Sequence, residues 1–102
     1  MKKKTVILEI FDFLKNKGMV TTEGEYSEWW LGQCDSYYRG LRFKRKEPSI
    51  GVVAIVGSRL QKAGELIVSS PRHAHVGQRF LELSDKCHQL VNEDAVELEL
   101  IG

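Results

Sequence analysis

Five basic residues fall within eight consecutive positions in the middle of the chain, from Arg39 to Lys46. Arginine side chains donate hydrogen bonds to guanine edges and phosphates, and lysine side chains bind phosphates. This run therefore predicts a surface for duplex DNA on a short helix over residues 35–46. The residues assigned to that surface are Ser36, Tyr37, Arg39, Arg42, Lys44, Arg45 and Lys46. The alternative interpretation is a solvated helix end, where cations also favour the helix dipole.

The other reactive side chains form no recognisable catalytic or metal-binding pattern. The three histidines and Cys87 lack the spacing of a zinc signature such as paired Cys-x-x-Cys. The chain has no nucleophile elbow, phosphate-binding glycine loop or zinc-protease motif, and no histidine lies near Cys34 in sequence. We therefore predict that the protein is not an enzyme and needs neither a metal nor a cofactor.

Charge is distributed unevenly along the chain, although the net charge is only +1. Residues 33–62 carry seven basic and two acidic side chains, whereas residues 80–102 carry one basic and six acidic side chains. Such asymmetry favours a negatively charged partner for the middle of the chain.

The N-terminal apolar stretch is interrupted by Glu9 and Asp12, which a signal peptide would not tolerate. No apolar run approaches the roughly 20 residues that a membrane helix needs. We expect a cytoplasmic protein that has no membrane partner.

Helical spacing of apolar residues indicates how the basic run is positioned. The first predicted helix covers residues 5–17 and ends at Gly18, a typical C-terminal cap. Thr22 begins a second helix, with Glu25 completing a capping box. That helix ends at Gly32, because glycine most readily adopts the positive φ that a tight turn between helices requires.

The third predicted helix carries the basic run. Asp35 or Ser36 can cap it, and Pro48 ends it, because the residue before proline is disfavoured in a helix. Tyr38 and Leu41 are spaced to pack this helix against the preceding one, which leaves Arg39 and Arg42 on the outward side.

The next segment is ambiguous between helix and strand. Residues 50–57 are apolar and rich in valine and isoleucine, which fits a buried strand. Residues 50–66 together make a buried helix that Ser49 can cap, and this greater length favours the helix.

The C-terminal part, residues 73–92, has apolar residues at heptad spacing. This seam consists of Val76, Phe80, Leu83, Cys87 and Leu90. Such a seam either packs on the rest of the chain or forms a homodimer interface. Residues 96–100 alternate apolar and acidic side chains, which allows a short strand or a frayed tail.

The stretch Ser27–Gly32, Tyr37–Arg42 and Glu47–Ser49 resembles the core of the Cro and lambda-repressor class of helix-turn-helix domains. It is also similar to a small uncharacterised bacterial family with a Ser, Leu-Gly, Tyr, Arg, Pro-Ser skeleton. The resemblance covers about residues 20–62. It implies that Ser36, Arg39 and Arg42 lie on the DNA-facing helix, and that Arg45 and Lys46 lie in a loop that contacts the DNA backbone.

The sequence departs from that class at Glu28, where the class prefers alanine because two helices touch closely. A glutamate there is costly unless it points outward. Our prediction is an all-α protein of about five helices, with a helix-turn-helix domain over residues 1–66, a packing or dimerising helix over 72–92 and an acidic tail over 93–102. Its predicted function is that of a DNA-binding regulator, and the alternative is a non-catalytic protein-interaction module with the same fold.

Overall fold

In a computed structural model, the backbone is described for residues 2–44 and 46–101, and side chains are described up to Asp94. Within these residues the protein is all-α, as predicted. The helices are α1 (Lys3–Asn16), α2 (α-helical over Glu23–Glu25 and π-helical over Tyr26–Trp30), α3 (Tyr37–Phe43), α4 (Ile50–Val68) and α5 (Ala74–Ile101). One 3₁₀ turn, Pro71–His73, precedes α5.

α1 has the amphipathic pattern that its sequence predicts, and its apolar face is buried. That face consists of Val6, Ile7, Ile10, Phe11 and Leu14. The helix ends at Gly18, whose φ of 74° is left-handed. The N–H groups of Gly18 and Met19 bond back to the carbonyls of Lys15 and Leu14, which satisfies the helix end.

α4 is a helix over its full length, so the helical alternative for residues 50–66 is confirmed. The Ser49 hydroxyl accepts a hydrogen bond of 3.3 Å from the Val52 N–H, as expected of a capping residue. The strand alternative failed because Val52, Val53 and Val56 all face one core, which a helical turn brings together.

α4 and α5 pack closely because glycines lie where the two helices meet. A Cβ atom added at Gly57 would lie 2.7 Å from the Cβ of Cys87, and one at Gly77 would lie 2.6 Å from the Val68 nitrogen. At both contacts, therefore, no larger residue fits at this separation. The Ser84 hydroxyl donates a hydrogen bond of 2.7 Å to the Gly57 carbonyl across the same contact.

The heptad seam of α5 faces α4 and α1 within the same chain. Phe80, Leu83, Cys87 and Leu90 are buried in the monomer, and Val76 is partly buried against the core. The packing alternative therefore accounts for the burial of the seam, and the homodimer alternative stays a prediction.

The short strand that the alternation over residues 96–100 allowed does not form. The backbone of α5 remains helical to Ile101, so the segment of residues 93–101 extends this helix rather than forming a separate tail. Within the described residues, no helix is both long enough and apolar enough to cross a membrane.

An aromatic cluster joins α1 to the short helices α2 and α3. The rings of Phe11, Tyr26 and Tyr38 have centroids about 5 Å apart. The Tyr26 hydroxyl donates a hydrogen bond of 2.7 Å to the Ile7 carbonyl, so this buried phenol is satisfied. On the other side, Phe80 of α5 packs edge-on against Phe13. The core therefore holds the short helices α2 and α3 against the three long ones.

Candidate nucleic-acid interface

The turn between α2 and α3 is built on Gly32, as the sequence predicts. Its φ of 67° is left-handed, so a side chain there would be strained. Leu31 before the turn and Tyr38 and Leu41 after it are buried. These three side chains pack α3 on the core, and the opposite side of α3 faces solvent.

The first turn of α3 is capped from a distance rather than by its own neighbours. Ser36 occupies the N-cap position, but its side chain makes no capping hydrogen bond. Instead, the Tyr38 N–H donates a hydrogen bond of 3.0 Å to the hydroxyl of Ser27, which is fully buried in α2. The prediction that Asp35 or Ser36 caps α3 was therefore wrong. The capping acceptor is the Ser27 hydroxyl of another helix, α2.

The second half of α2 is a π-helical turn, which the sequence pattern did not predict. The Leu31 N–H bonds to the Tyr26 carbonyl five residues earlier. This wide turn buries Tyr26, Ser27 and Trp30, and leaves Glu28 and Trp29 exposed. Glu28 therefore points outward, so its carboxylate is not buried between two helices and carries no desolvation cost.

Arg39 is exposed on the outward side of α3, and no ion pair engages it within the described residues. Phe43, at the end of the same helix, is 75% exposed. Ser36 is also exposed, whereas Tyr37 is half-buried, and this burial raises the pKa of its phenol. The predicted surface residues of α3 thus lie around one solvent-facing side.

Arg42 differs from Arg39 because a carboxylate already binds it. Its guanidinium donates two hydrogen bonds to Glu23 of α2, one of them 2.9 Å from Nη2 to Oε1. These hydrogen bonds, opposed by partial burial and helped by the charges of Arg42 and Arg39, lower the pKa of Glu23. The pair also raises the pKa of Arg42. Arg42 therefore ties α3 to α2.

The loop after α3 places further lysines beside this surface. Lys44 and Lys46 are exposed, whereas Arg45 lies outside the described residues. The Lys4 ammonium donates a hydrogen bond of 3.2 Å to the Lys44 carbonyl, and the Lys4 N–H donates one of 3.1 Å to Glu47 Oε2. The N-terminus of α1, with its lysines, is thereby fixed against the loop.

The sequence analysis missed this contribution of Lys4. Only the fold shows that Lys44, 40 positions further along the chain, lies beside Lys4.

The cysteines and histidines do not form a site within the described residues. Cys87 is buried, which raises the pKa of its thiol to about 12 and keeps it neutral. The His88 ring lies 3.1 Å from Gln61 Oε1 and 3.2 Å from the Ser84 hydroxyl. No group of three or more potential ligands there could hold a metal ion.

Comparison with known families places the chain. The sequence profile of DUF6626, a family of unknown function, matches residues 7–100, and the chain belongs to that family. The match spans all five helices, including both the turn at Gly32 and the α4–α5 pair. Neither the curated proteins nor the solved structures contain a match to this chain.

Proposed function

We propose that the protein is a duplex-DNA-binding regulator of the helix-turn-helix type, in which α3 enters the major groove. The observation that carries the proposal is the solvent-facing side of α3, where Arg39 is exposed and unpaired within the described residues while Tyr38 and Leu41 are buried on the core. A helix with its side chains is roughly 10–12 Å across, which matches a major groove about 12 Å wide.

Arg39 is the side chain best suited to read a base edge. It lies in the middle of α3, and its guanidinium can donate two hydrogen bonds to guanine O6 and N7. Phe43, exposed at the end of the helix, can pack against a thymine methyl group. These two side chains would provide the sequence preference.

Lysines around α3 would bind the phosphates on either side of the groove. Lys44 and Lys46 follow the helix directly, and Lys4 is held against them by its bond to the Lys44 carbonyl. Phosphate contacts of this kind set the register and orientation of a protein on DNA. Lys4 of α1 is therefore an additional phosphate contact in this proposal, beside the lysines that the sequence analysis assigned.

Arg42 has a different role in this proposal from the one that the resemblance implies. Because Glu23 binds its guanidinium at two points, Arg42 positions α3 instead of reading bases. The carboxylate also lies on the edge of the surface, where it would repel a phosphate that came too close.

Selection of binding sites from random duplexes tests the proposal. The wild-type protein should enrich a short common sequence. Arg39→Ala should cost about 1–3 kcal/mol on that sequence and relax the preference at one base pair, whereas Lys44→Ala should weaken binding to all sequences alike. Enrichment of no sequence, together with equal effects of the two substitutions, would contradict the proposed role of α3.

A further inference from the structure

A groove with an apolar floor lies on the side formed by α2, α4 and the start of α5. Two adjoining depressions, of about 430 and 390 Å³, share Met19 and form what we call the Met19 groove. Its apolar side chains are Met19, Trp29, Trp30, Ile67, Val76 and Phe80. No residue of α3 or of the loop after it lines this groove, so it is separate from the proposed DNA surface.

Two large apolar side chains of the groove are exposed to an unusual degree. Trp29 is 58% exposed and Met19 is 40% exposed, while Phe80 and Trp30 beneath them are buried. Tryptophan and methionine are enriched where proteins bind one another and are seldom left in water without a reason. The groove therefore has both a hydrophobic floor and an exposed aromatic side chain beside it.

The charged residues that line the Met19 groove are all basic. They are Lys17, Arg59 and Lys62, and His73 lies at one end. Arg59 is held in place because its Nη1 donates hydrogen bonds to the carbonyls of Trp29, at 2.9 Å, and Glu28, at 3.4 Å. Among the described residues, no carboxylate lines either depression.

The acidic residue of α4, Glu65, lines neither depression and, in the part of the chain that the structure describes, forms no ion pair with a residue that does. Glu65 lies on the other side of the helix from Ile67, and its carboxylate accepts a hydrogen bond of 3.0 Å from the Gln61 amide. The rim of the groove thus has a positive charge that nothing on α4 neutralises. Complementary charge is what steers and selects a partner at such a surface.

We propose that the Met19 groove docks an acidic amphipathic helix of a partner protein. Its apolar face would lie on Met19 and Trp29, and its carboxylates would pair with Lys17 and Lys62. The shape fits this mode of recognition, in which an amphipathic helix places anchors at i, i+3, i+4 and i+7 in an apolar groove.

Two other occupants fit the groove less well. A second copy related by a two-fold axis would bring the same patch against itself, and Lys17 and Lys62 would then face like charges. A bilayer would take up only the side chains that protrude, Trp29 and Met19, and would leave the buried Trp30 and Phe80 beneath them without a contact. If the proposed function holds, a partner protein bound in the Met19 groove would be brought to the DNA that α3 binds.

Three synthetic peptides of about 16 residues, roughly four helical turns, test the proposal. The first has a leucine face and glutamates elsewhere, the second has the same face with lysines, and the third has glutamates with glutamine in place of leucine. Only the first should bind, with a blue shift of tryptophan emission and weaker binding at high salt. Lys62→Glu and Trp29→Ser should each weaken it by about tenfold or more. The matched charge reversal Lys15→Glu, at an exposed residue that lines neither depression, should leave it unchanged.

Several outcomes would overturn the proposal. Equal binding of the basic or the glutamine peptide would remove its basis in charge or in apolar contact, and no binding of the first peptide at about 1 mM, a free energy of only about −4 kcal/mol, would remove it altogether. Dimers in sedimentation that Trp29→Ser dissociates would assign the groove to a second copy. Co-sedimentation of the protein with vesicles of phosphatidylcholine and phosphatidylglycerol, lost in Trp29→Ser, would assign it to a membrane surface. The peptide experiment does not use DNA, so its result is independent of the proposed function.

Discussion

The Ser27 hydroxyl joins α2 to α3: it accepts a hydrogen bond of 3.0 Å from the Tyr38 N–H. The same hydroxyl donates a hydrogen bond of 2.9 Å to the Glu23 carbonyl. One fully buried side chain therefore satisfies a free N–H at the start of α3 and fixes the crossing of the two helices. The orientation of Arg39 toward solvent depends on this crossing.

Ser27→Ala should destabilise the protein by about 1–3 kcal/mol, because the Tyr38 N–H would be left buried without an acceptor. Urea unfolding followed by circular dichroism measures the change. Ser36→Ala is the matched control: that serine occupies the N-cap position but makes no capping bond, so its loss should cost under about 0.5 kcal/mol. Equal costs for the two serines would mean that Ser27 does not cap α3.

Two glycines near the basic surface should respond in opposite ways to alanine. Gly32→Ala should destabilise the protein by about 1–2 kcal/mol, because its φ of 67° is unfavourable for any residue with a Cβ. Gly40→Ala should stabilise it by about 0.5–1 kcal/mol, because Gly40 lies inside α3 with no atom within 4 Å of an added Cβ. Thermal unfolding of both variants gives the signs, and a stabilising Gly32→Ala would contradict the geometry of the turn.

The ion pair between Glu23 and Arg42 should appear in the pH dependence of stability. Arg42 lowers the pKa of Glu23 in the folded state, so the stability that this carboxylate contributes is present above its ordinary pKa and is lost as pH falls through the lower folded value. Glu23→Gln should therefore be less stable than wild type at neutral pH, with a difference that shrinks in acid.

Urea midpoints of wild type and Glu23→Gln at several pH values between about 3 and 7 measure this difference. Glu65→Gln is a suitable control, since Glu65 is exposed and bonds only to the Gln61 amide within the described residues. A constant difference between wild type and Glu23→Gln across this range would show that the pair contributes nothing to stability.

Leu83 of the α5 seam should behave as a core residue. Because it is fully buried in the monomer, Leu83→Ala should lower the free energy of unfolding by about 2–5 kcal/mol. Its sedimentation coefficient under native conditions should match that of the wild type. If Leu83→Ala kept the stability of the wild type but changed its state of association, the seam would be an interface between two copies of the chain.

Much of the fold follows from local patterns in the sequence. Caps at Thr22 and Ser49 and the left-handed turns at Gly18 and Gly32 act over a few residues, so the sequence shows them directly. The heptad spacing of α5 likewise predicts an apolar face. Spacing alone, however, does not tell whether that face packs within one chain or between two, since both bury the same side chains.

The parts that were not predicted depend on contacts between distant residues. The capping of α3 by Ser27 spans 11 positions, the Arg42–Glu23 pair spans 19, and the bond from Lys4 to the Lys44 carbonyl spans 40. The basic run is visible in the sequence, but α2 decides that, among the described residues, Arg42 has a carboxylate partner and Arg39 has none. The π-helical turn belongs to the same group, because it places Tyr26 and Trp30 in a core whose other half comes from α1 and α5.

The salt dependence of duplex binding tests the central claim most directly. Affinity should fall with salt by about 0.9 logarithmic units per tenfold change for each phosphate neutralised. A triple variant that replaces Arg39, Lys44 and Lys46 with glutamine should reduce this slope by about 1.8 units, because Lys44 and Lys46 are two phosphate contacts whereas Arg39 reads a base. A control triple with the same net charge, in which Lys17, Lys62 and Arg72 become glutamine, should keep the wild-type slope. If wild type shifts no duplex at about 50 mM salt, where nonspecific binding should still hold, or if both triples lose the same slope, then α3 is not a DNA-binding surface.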